Sequence, residues 1–263
     1  YDDGRGVEVD DSGVYVVGYT QGAFPGFPQG DDVFIRKYDV DGNEVWTRQF
    51  GTLEGDFAAG ISIHGSSVYV GGKTWGEFPG QTNLGSTDAF VAKFGTDGSG
   101  GWIRQYGTTE EEEVGGISAH SSGVYLFGNT DGTFPGETKI GSTDAFVGKW
   151  DFEGNNEWTS QFGSVWISGN AVSVDDSGVY VGGEVQYVLP GQMSPGDDDA
   201  FACKFDFDGN VVWNKQFGAP VEDRVRDIAL DEGSIYLIGE AEGSIGGQIY
   251  SGENDVFIIE IAK

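Results

Sequence analysis

Several kinds of residue and pattern are almost missing from this chain, and each absence excludes a class of protein. One cysteine among 263 residues allows no disulfide within the chain. No run approaches the ~18 consecutive apolar residues of a membrane-spanning helix, and no helical periodicity is visible. Gly-x-Ser-x-Gly, phosphate-loop and Cys-x-x-Cys motifs are also absent. We therefore expect a chain without a disulfide framework, a membrane-spanning helix or a known catalytic signature.

Basic residues are also rare in this chain. The chain has 14 Lys and Arg against 43 Asp and Glu, a net charge of −29. Such a field repels DNA, RNA and anionic membrane surfaces, which excludes nucleic-acid partners. The acids are spread along the whole chain, which favours adaptation to high salt, where screening removes self-repulsion. The same surplus suits a calcium-rich exterior, and a merely solvated surface is the alternative. We expect an extracellular or cell-surface protein of a halophilic archaeon or bacterium.

The single cysteine, Cys203, lies in the apolar strand pattern Ala200-Phe201-Ala202-Cys203. A small buried core residue fits this context better than a nucleophile does.

Glycine, by contrast, is abundant, and a block of residues recurs along the chain. The marker tryptophans are spaced 56, 56 and 55 residues apart. The recurring positions are Trp46, Trp102, Trp158 and Trp213; Tyr15, Tyr69, Tyr125, Tyr180 and Tyr236; and Asp32, Asp88, Asp144, Asp199 and Asp255. A repeat of this length indicates a solenoid, a propeller or an array.

Each copy has the pattern of four short strands. In the first copy these are residues 6–10, 14–20, 32–38 and 44–51, and 39–43 (Asp-Val-Asp-Gly-Asn) form a hairpin turn. Antiparallel sheets with apolar residues on both faces bury them by stacking around an axis, which predicts an all-β β-propeller. A parallel β-helix is the alternative, but its rungs are shorter and lack this hairpin chemistry.

The predicted blades form a single domain, residues 1–263, and their approximate bounds are 6–51, 60–107, 116–163, 171–218 and 227–263. The fifth copy lacks its Trp strand, and residues 1–6 align with the linker that follows a Trp strand. The N-terminus therefore does not complete the fifth blade. The chain opens inside a motif at Tyr1, so we expect a processed product, an excised domain or part of a larger propeller.

The recurring units are Val-Tyr-Val-x-Gly-x-Thr, Phe-Pro-Gly, Asp-Ala-Phe-Val-x-Lys-Phe, Asp-Gly and Trp-x-Arg-Gln-Phe-Gly. In these units the chain resembles the SBBP family, a β-propeller repeat, over essentially its whole length. The resemblance implies surface or secreted proteins and names no reaction.

Side chains present in every copy are expected to be scaffold. We expect the glutamines Gln49, Gln105, Gln161 and Gln216 to bond backbone between strands, and the lysines Lys37, Lys93, Lys149 and Lys204 to pair with neighbouring acids. Function is therefore sought where the copies differ.

Metal-ligand candidates occur in the acidic turns. Asp39 with Asp41, and Asp206 with Asp208, form Asp-x-Asp-Gly-Asn turns that match part of a calcium loop. The third oxygen ligand before the glycine and the later bidentate Glu are missing, so the pattern favours hairpin turns and leaves calcium as the only cofactor candidate.

Other departures are acidic or imidazole side chains. Glu110–Glu113 is expected to be a solvated loop, with a divalent-cation contact as the alternative. His64 and His120 occupy a slot that is Asp in other copies, which favours turn variants over metal ligands. Glu8 is the one charged residue at the centre of a first strand, and one carboxylate does not make the pair that a glycosidase needs.

Aromatic departures are the binding candidates: Phe27, Trp75, Trp166 and Tyr187. The sequence predicts a non-enzymatic binding or assembly scaffold, such as a surface-layer, filament or adhesion component, with a protein partner or self-assembly. A carbohydrate-binding propeller is the alternative, distinguished by exposed aromatics beside polar groups. A glycoside hydrolase is the third hypothesis.

Overall fold

A computed structural model describes residues 1–26, 30–193, 196–245, 251–252 and 254–263. Within these ranges the regular secondary structure consists of strands, and no helix could cross a membrane. The strands are β1 (Asp2–Asp10), β2 (Gly13–Thr20), β3 (Asp32–Tyr38), β4 (Glu44–Phe50), β5 (Asp56–His64), β6 (Ser67–Thr74), β7 (Asp88–Gly95), β8 (Trp102–Tyr106), β9 (Glu112–His120), β10 (Gly123–Thr130), β11 (Asp144–Trp150), β12 (Asn156–Phe162), β13 (Trp166–Asp175), β14 (Gly178–Gln186), β15 (Asp198–Phe205), β16 (Val211–Phe217), β17 (Asp223–Leu230), β18 (Ser234–Ala241) and β19 (Asp255–Ala262).

Each repeat forms one sheet whose strands follow chain order. The first four sheets are β1-β2-β3-β4, β5-β6-β7-β8, β9-β10-β11-β12 and β13-β14-β15-β16. The last sheet, β17-β18-β19, has three strands in the part of the chain that is described. Neighbouring strands in the first, second, fourth and last sheets are antiparallel, as expected for strands joined by tight turns. The all-β, four-strand prediction is confirmed.

The first strand of each repeat begins earlier than the sequence predicted. β1 starts at Asp2 rather than Gly6, and β5 at Asp56 rather than Gly60. A β-bulge interrupts the register between Gly4 and Gly6, and another between Ala58 and Gly60. The extra residue reverses the in–out alternation of side chains, so the strand looks like a linker in the sequence. The expectation that residues 1–6 are linker was therefore wrong.

The chain divides into two compact units: unit 1 is Tyr1–Leu126 with Trp150–Asn155, and unit 2 is Phe127–Lys149 with Asn156–Lys263. In unit 1, β5 packs on β1, β2 and β3, and β9 packs on β5, β6 and β7. In unit 2, β17 packs on β13, β14 and β15. The first strand of one repeat thus covers the sheet before it. Antiparallel sheets stacked in this way are the blades of a β-propeller.

Three of the marker tryptophans each connect one repeat to the next within a unit. The indole N–H of Trp46 donates to Thr96 O at 3.2 Å, and that of Trp102 donates to Phe152 O at 3.2 Å. In unit 2, Trp158 donates to Phe207 O at 3.0 Å. These acceptors lie in or beside the hairpin turns of the following repeat. The marker tryptophans are therefore scaffold, as predicted.

The repeated Gln and Lys side chains differ in how well the sequence predicted them. Gln49 accepts from Phe24 N and donates from Nε2 to Gly22 O and Asp32 Oδ2, so it fastens a loop to the sheet. Lys37 lies over the Tyr15 ring. Its Nζ donates to Ser12 Oγ and to Thr96 O rather than to an acid. Lys149, in contrast, pairs with Glu157 at 2.7 Å. The prediction of an acid partner therefore holds for Lys149 and not for Lys37.

Candidate binding cleft

A cleft of about 430 Å³ lies within unit 1, at the ends of the first strands. Its volume falls in the ~300–1,000 Å³ range of small-molecule sites. The residues that line it are Arg5 of β1, Tyr19 of β2, Phe57, Ala58 and Ala59 of β5, Lys73 of β6, Trp75 just after β6, and Glu113, Val114 and Gly115 of β9. Three consecutive repeats therefore contribute to it.

Aromatic rings form a row along the cleft. Trp75 and Phe57 have ring centroids 5.1 Å apart, and Phe57 and Tyr19 are 4.8 Å apart, both edge to face. Tyr1 extends the row, with its ring centroid 6.2 Å from that of Tyr19. Edge-to-face pairs fix ring orientation. The row thus presents a rigid apolar surface.

Trp75 is the exposed end of this row, with 48% of its surface accessible. Its backbone is held on both sides, because Trp75 N donates to Gly55 O and Asn83 Nδ2 donates to Trp75 O, each at 3.0 Å. A β-carbon on Gly55 would lie 2.7 Å from the indole, so only glycine allows this close packing. The indole is anchored but remains available to a ligand.

Charged groups around the rings occur as pairs. Arg5 lies over the Tyr19 ring, 5.5 Å from its centroid, and its Nη2 is 3.0 Å from Asp3 Oδ2. Across the cleft, Lys73 pairs with Glu113. Two of the chain's 14 basic residues therefore line one cleft, and each has an acid partner. This lining is close to neutral although the whole chain carries −29.

The β-bulge explains why Arg5 reaches the cleft. Arg5 is the residue skipped by the register shift between Gly4 and Gly6. Bulges turn a side chain away from the direction that alternation would give it. The sequence did not single out Arg5, Tyr19, Phe57 or Lys73, because each looks ordinary within its own repeat.

The other aromatic candidates lie elsewhere. Tyr187 is 59% exposed and has a φ of 66°, a left-handed conformation that is unusual for a residue with a side chain. Its carbonyl accepts from Gln216 Nε2, as the Gly76 carbonyl does from Gln105 Nε2. Trp166 is half-buried at the start of β13. Phe27 lies outside the described residues.

The calcium candidates form hairpin turns with internal hydrogen bonds. Asp39 Oδ1 accepts from the backbone N–H groups of Asp41 and Asn43, and Asn43 Nδ2 reaches its Oδ2. Asp206 makes the same bonds to Asp208 and Asn210. These bonds lower the pKa of Asp39, with Asn43 the largest cause. No group of three or more His, Cys, Asp or Glu that could hold a metal occurs among the described residues.

The acidic run is not one solvated loop. Glu112 is fully buried at the start of β9 and accepts from Thr108 N and Thr108 Oγ1 at 2.8 and 2.7 Å. Glu111 accepts from Ser86 Oγ, while Glu113 belongs to the cleft. The expectation of a solvated loop, based on like-charge repulsion, was therefore wrong for Glu112, because a strand begins inside the run and directs alternate carboxylates inward and outward.

The two histidines are the last residues of β5 and β9, directly before the turns that follow these strands. His64 stacks on Phe152, with ring centroids 5.2 Å apart and planes nearly parallel. His120 Nδ1 is 3.0 Å from Ser122 Oγ, in the place where Asp10 bonds Ser12.

Pairs of buried carboxylates lie between consecutive sheets, which the sequence did not predict. Asp32 with Asp56 is one pair in unit 1, and Asp199 with Asp223 is its counterpart in unit 2. Asp32 Oδ1 and Asp56 Oδ2 both lie within 2.6 Å of the position where a β-carbon on Gly51 would stand. This is close enough for like charges to interact, since such effects extend over ~4–6 Å.

Burial raises the pKa of Asp56 to about 6, with a smaller increase from Asp32. Burial likewise raises the pKa of Asp223 to about 6, and Asp199 adds to it. These side chains are fully buried, so a bulky substrate cannot reach them. Glu8 stands apart from the pairs, half-buried in β1, and burial raises its pKa.

Comparisons with known proteins add little to the geometry. No family model matches the chain. The regulatory protein FlaEY of Caulobacter vibrioides is 25% identical over 274 aligned residues, which cover 88% of this chain and 28% of that protein. The chain thus spans less than a third of that relative's length.

Solved structures are similar only at a distance. A GH43_1 enzyme from Xanthomonas citri matches with a TM-score of 0.43 and 10% identity, over 99% of this chain and 87% of that one. A subtype N10 neuraminidase-like protein of A/little yellow-shouldered bat/Guatemala matches with 0.48 and 9%, over 97% and 78%. The WD40 domain of Neurospora crassa Pan2 matches with 0.48 and 10%, over 91% and 75%. At these scores we infer nothing from them about activity.

Proposed function

We propose that the chain is a non-enzymatic, extracellular or cell-surface β-propeller of the SBBP type that binds a saccharide in the cleft of unit 1. Its five sheets would be consecutive blades, the fifth without an outer strand. The observation that carries the proposal is the anchored, half-exposed Trp75 at the end of an aromatic row, beside paired charges.

The chemistry of the cleft suits a neutral sugar. Aromatic rings stack on the apolar faces of sugar rings, and Arg, Lys and Glu side chains bond hydroxyl groups. The paired charges at Arg5 and Lys73 leave no excess charge that requires a counter-ion. Rigid rings also lose little conformational freedom on binding.

The two alternative functions, binding of a protein partner and glycoside hydrolysis, require different residues in the cleft. A protein partner would use the same exposed rings as an anchor. A glycoside hydrolase needs two carboxyl groups about 5–10 Å apart at the substrate. Among the lining residues Glu113 is the one carboxylate, which supports a binding role.

Binding to an array of neutral and acidic oligosaccharides, followed by titration calorimetry, tests this proposal. We expect a neutral saccharide to bind the wild type, and Trp75→Ala to weaken binding by about 30-fold, the loss typical of an anchoring aromatic. Tyr187→Ala, which removes a ring that is 59% exposed and lies outside the cleft, is the matched control. Release of reducing ends from the bound sugar would support the hydrolase instead. Equal affinity of Trp75→Ala and wild type would reject the cleft.

Salt adaptation is a separate part of the proposal. The charge of −29 should make the melting temperature rise steeply between low salt and molar NaCl or KCl, because screening relieves repulsion. A flat response would reject it.

A further inference from the structure

Stacked repeats in this protein use two different faces of each sheet. We call the face of the first sheet that carries Val33 and Ile35 its trailing face. Both residues share a buried cluster with Ile61 of the second sheet. We call the face that carries Ile61 and its counterparts the leading face. In unit 2, Ile228 of the last sheet packs in the same way near Gly182. Both of these contacts therefore join a trailing face to a leading face.

The trailing face of the last sheet is uncovered. Val256 and Ile258 stand at the repeat positions of Val33 and Ile35, and they are 69% and 67% exposed, whereas Val33 and Ile35 are fully buried. Ile238 in β18 is also exposed beside them. A shallow hollow of about 160 Å³, lined in part by Ala229, Ile238 and Ile258, lies on this sheet.

The leading face of the first sheet is uncovered too. Val7 in β1 stands at the repeat position of Ile61 and Ile228 and is 63% exposed, whereas those two residues are almost fully buried. The turn at Gly42 is likewise open. A β-carbon there would meet nothing, whereas at Gly98 it would meet the Trp46 ring at 2.9 Å. The molecule thus exposes one half of the repeat contact on each of two sheets.

We propose that a second copy of this chain covers these faces, so that the last sheet of one copy stacks on the first sheet of the next. The contact continues the interface that already joins the repeats within one chain. Its two halves differ, so it is a head-to-tail contact that gives closed rings or open filaments. This inference is independent of the saccharide cleft, whose residues it does not use.

Two features limit the strength of this contact. The last sheet has three strands in its described residues, so no Trp strand reaches the turn at Gly42. Copies that each carry −29 also repel one another. We therefore expect association to be weaker than stacking within a chain and to require molar salt, which screens the charge.

Sedimentation velocity over a concentration series in molar NaCl tests the proposal with Val7→Asp and Ile258→Asp. The mean mass of the wild type should rise with concentration, and each variant alone should stay monomeric. An equimolar mixture of the two should form a 1:1 dimer and nothing larger. The mixture then has one intact leading face and one intact trailing face that can pair. The charged faces of the resulting dimer prevent further association.

A control variant shows whether the loss of assembly is specific to the two faces. Leu53→Asp places the same charge on a fully exposed linker residue and should assemble like the wild type. If an Asp variant fails to fold by circular dichroism, Val7→Thr and Ile258→Thr replace the pair. A wild type that stays monomeric at every concentration overturns the proposal. A mixture that shows no dimer also overturns it. So do variants with a lower melting temperature than a monomeric wild type, since that result would mean that the two faces contact each other within one chain.

Discussion

The cleft of unit 1 and the equivalent repeat positions of unit 2 share one backbone arrangement but carry different side chains. Phe57 is paired with Lys73 across β5 and β6, and Arg224 is paired with Glu240 at the equivalent register of β17 and β18. In unit 1 the neighbours are aromatic rings that leave a cleft. In unit 2, Arg224 contacts Glu184, Glu222 and Glu240.

This difference shows how a repeat protein can gain a site without changing its scaffold. The hydrogen-bonded ladder and the β-bulge are the same in both units, so the backbone tolerates either set of side chains. Long charged side chains at these positions in unit 2 satisfy one another. Rings in unit 1 cannot do so, and they leave apolar surface for a ligand.

The largest effect should come from a feature that both units share. In Gly51→Ala the new β-carbon would lie 2.3 Å from Asp32 Oδ1, and in Gly218→Ala it would lie 2.5 Å from Asp223 Oδ2. We expect each to lower the free energy of unfolding by about 2–3 kcal/mol, measured in urea, because the carboxylates are buried and cannot move aside. Gly100→Ala, where a β-carbon meets nothing, is the control. Equal stability of all three would contradict the close approach.

The next effect concerns pH and again compares the two units. The folded pKa of about 6 for Asp56 and Asp223 exceeds the unfolded value of ~3.9, so the folded state holds more protons between these values. Stability should therefore fall as the pH rises from about 4 to above 6. Asp56→Asn and Asp223→Asn should each remove on the order of 2 kcal/mol of that fall.

Urea unfolding at several pH values measures this slope. Asp41→Asn removes the same charge from an exposed turn and corrects for the change in net charge. If the variants of the buried pairs keep the wild-type slope, the buried carboxylates are not its source.

Exchanging side chains between the units tests the comparison directly. Phe57→Arg with Lys73→Glu places the pair from unit 2 in the cleft. We expect saccharide affinity to fall by about tenfold or more, since the row of rings is broken, while the melting temperature changes little. The reverse exchange, Arg224→Phe with Glu240→Lys, should create no binding, because Glu242 stands there at the position of Trp75. Binding gained in unit 2 would show that Trp75 is dispensable.

The smallest effect is expected for the ion pairs of unit 2. Arg226 Nε and Nη2 donate to the two Glu240 oxygens, each at 3.2 Å, on an exposed surface. Arg226→Ala should cost about 0.2–1 kcal/mol at low salt, measured by thermal unfolding, and less in molar salt. A larger cost that persists in salt would mean that the network supports the fold.

The sequence predicted the repeated scaffold well. Asp32 and Tyr15 recur because they bond to Gln49 and Asp10 of their own repeat, and Trp46 recurs because it bonds to the turn of the next repeat. It also predicted a last copy without a Trp strand, and the last sheet has three strands among the described residues. Trp75 was one of four aromatic binding candidates whose exposure the sequence left open, and 48% of its surface is accessible.

Contacts between repeats were harder to predict. Lys37 was expected to find an acid and instead donates to Thr96 O of the next repeat. Glu112 was assigned to a solvated loop although it is buried, because its acidic neighbours concealed the start of β9. Each error involves a residue whose environment is set outside its own stretch of sequence.

The sequence by itself determined the all-β repeat, the turns and the acidic surface, because period, glycine placement and charge are local properties. Only the tertiary structure decided which side chains meet. It brings Arg5, Tyr19, Phe57, Lys73 and Glu113 from three repeats around Trp75. It also leaves Val7 and Ile258 uncovered although their counterparts are buried. Burial depends on which sheet lies against which, and no single repeat contains that information.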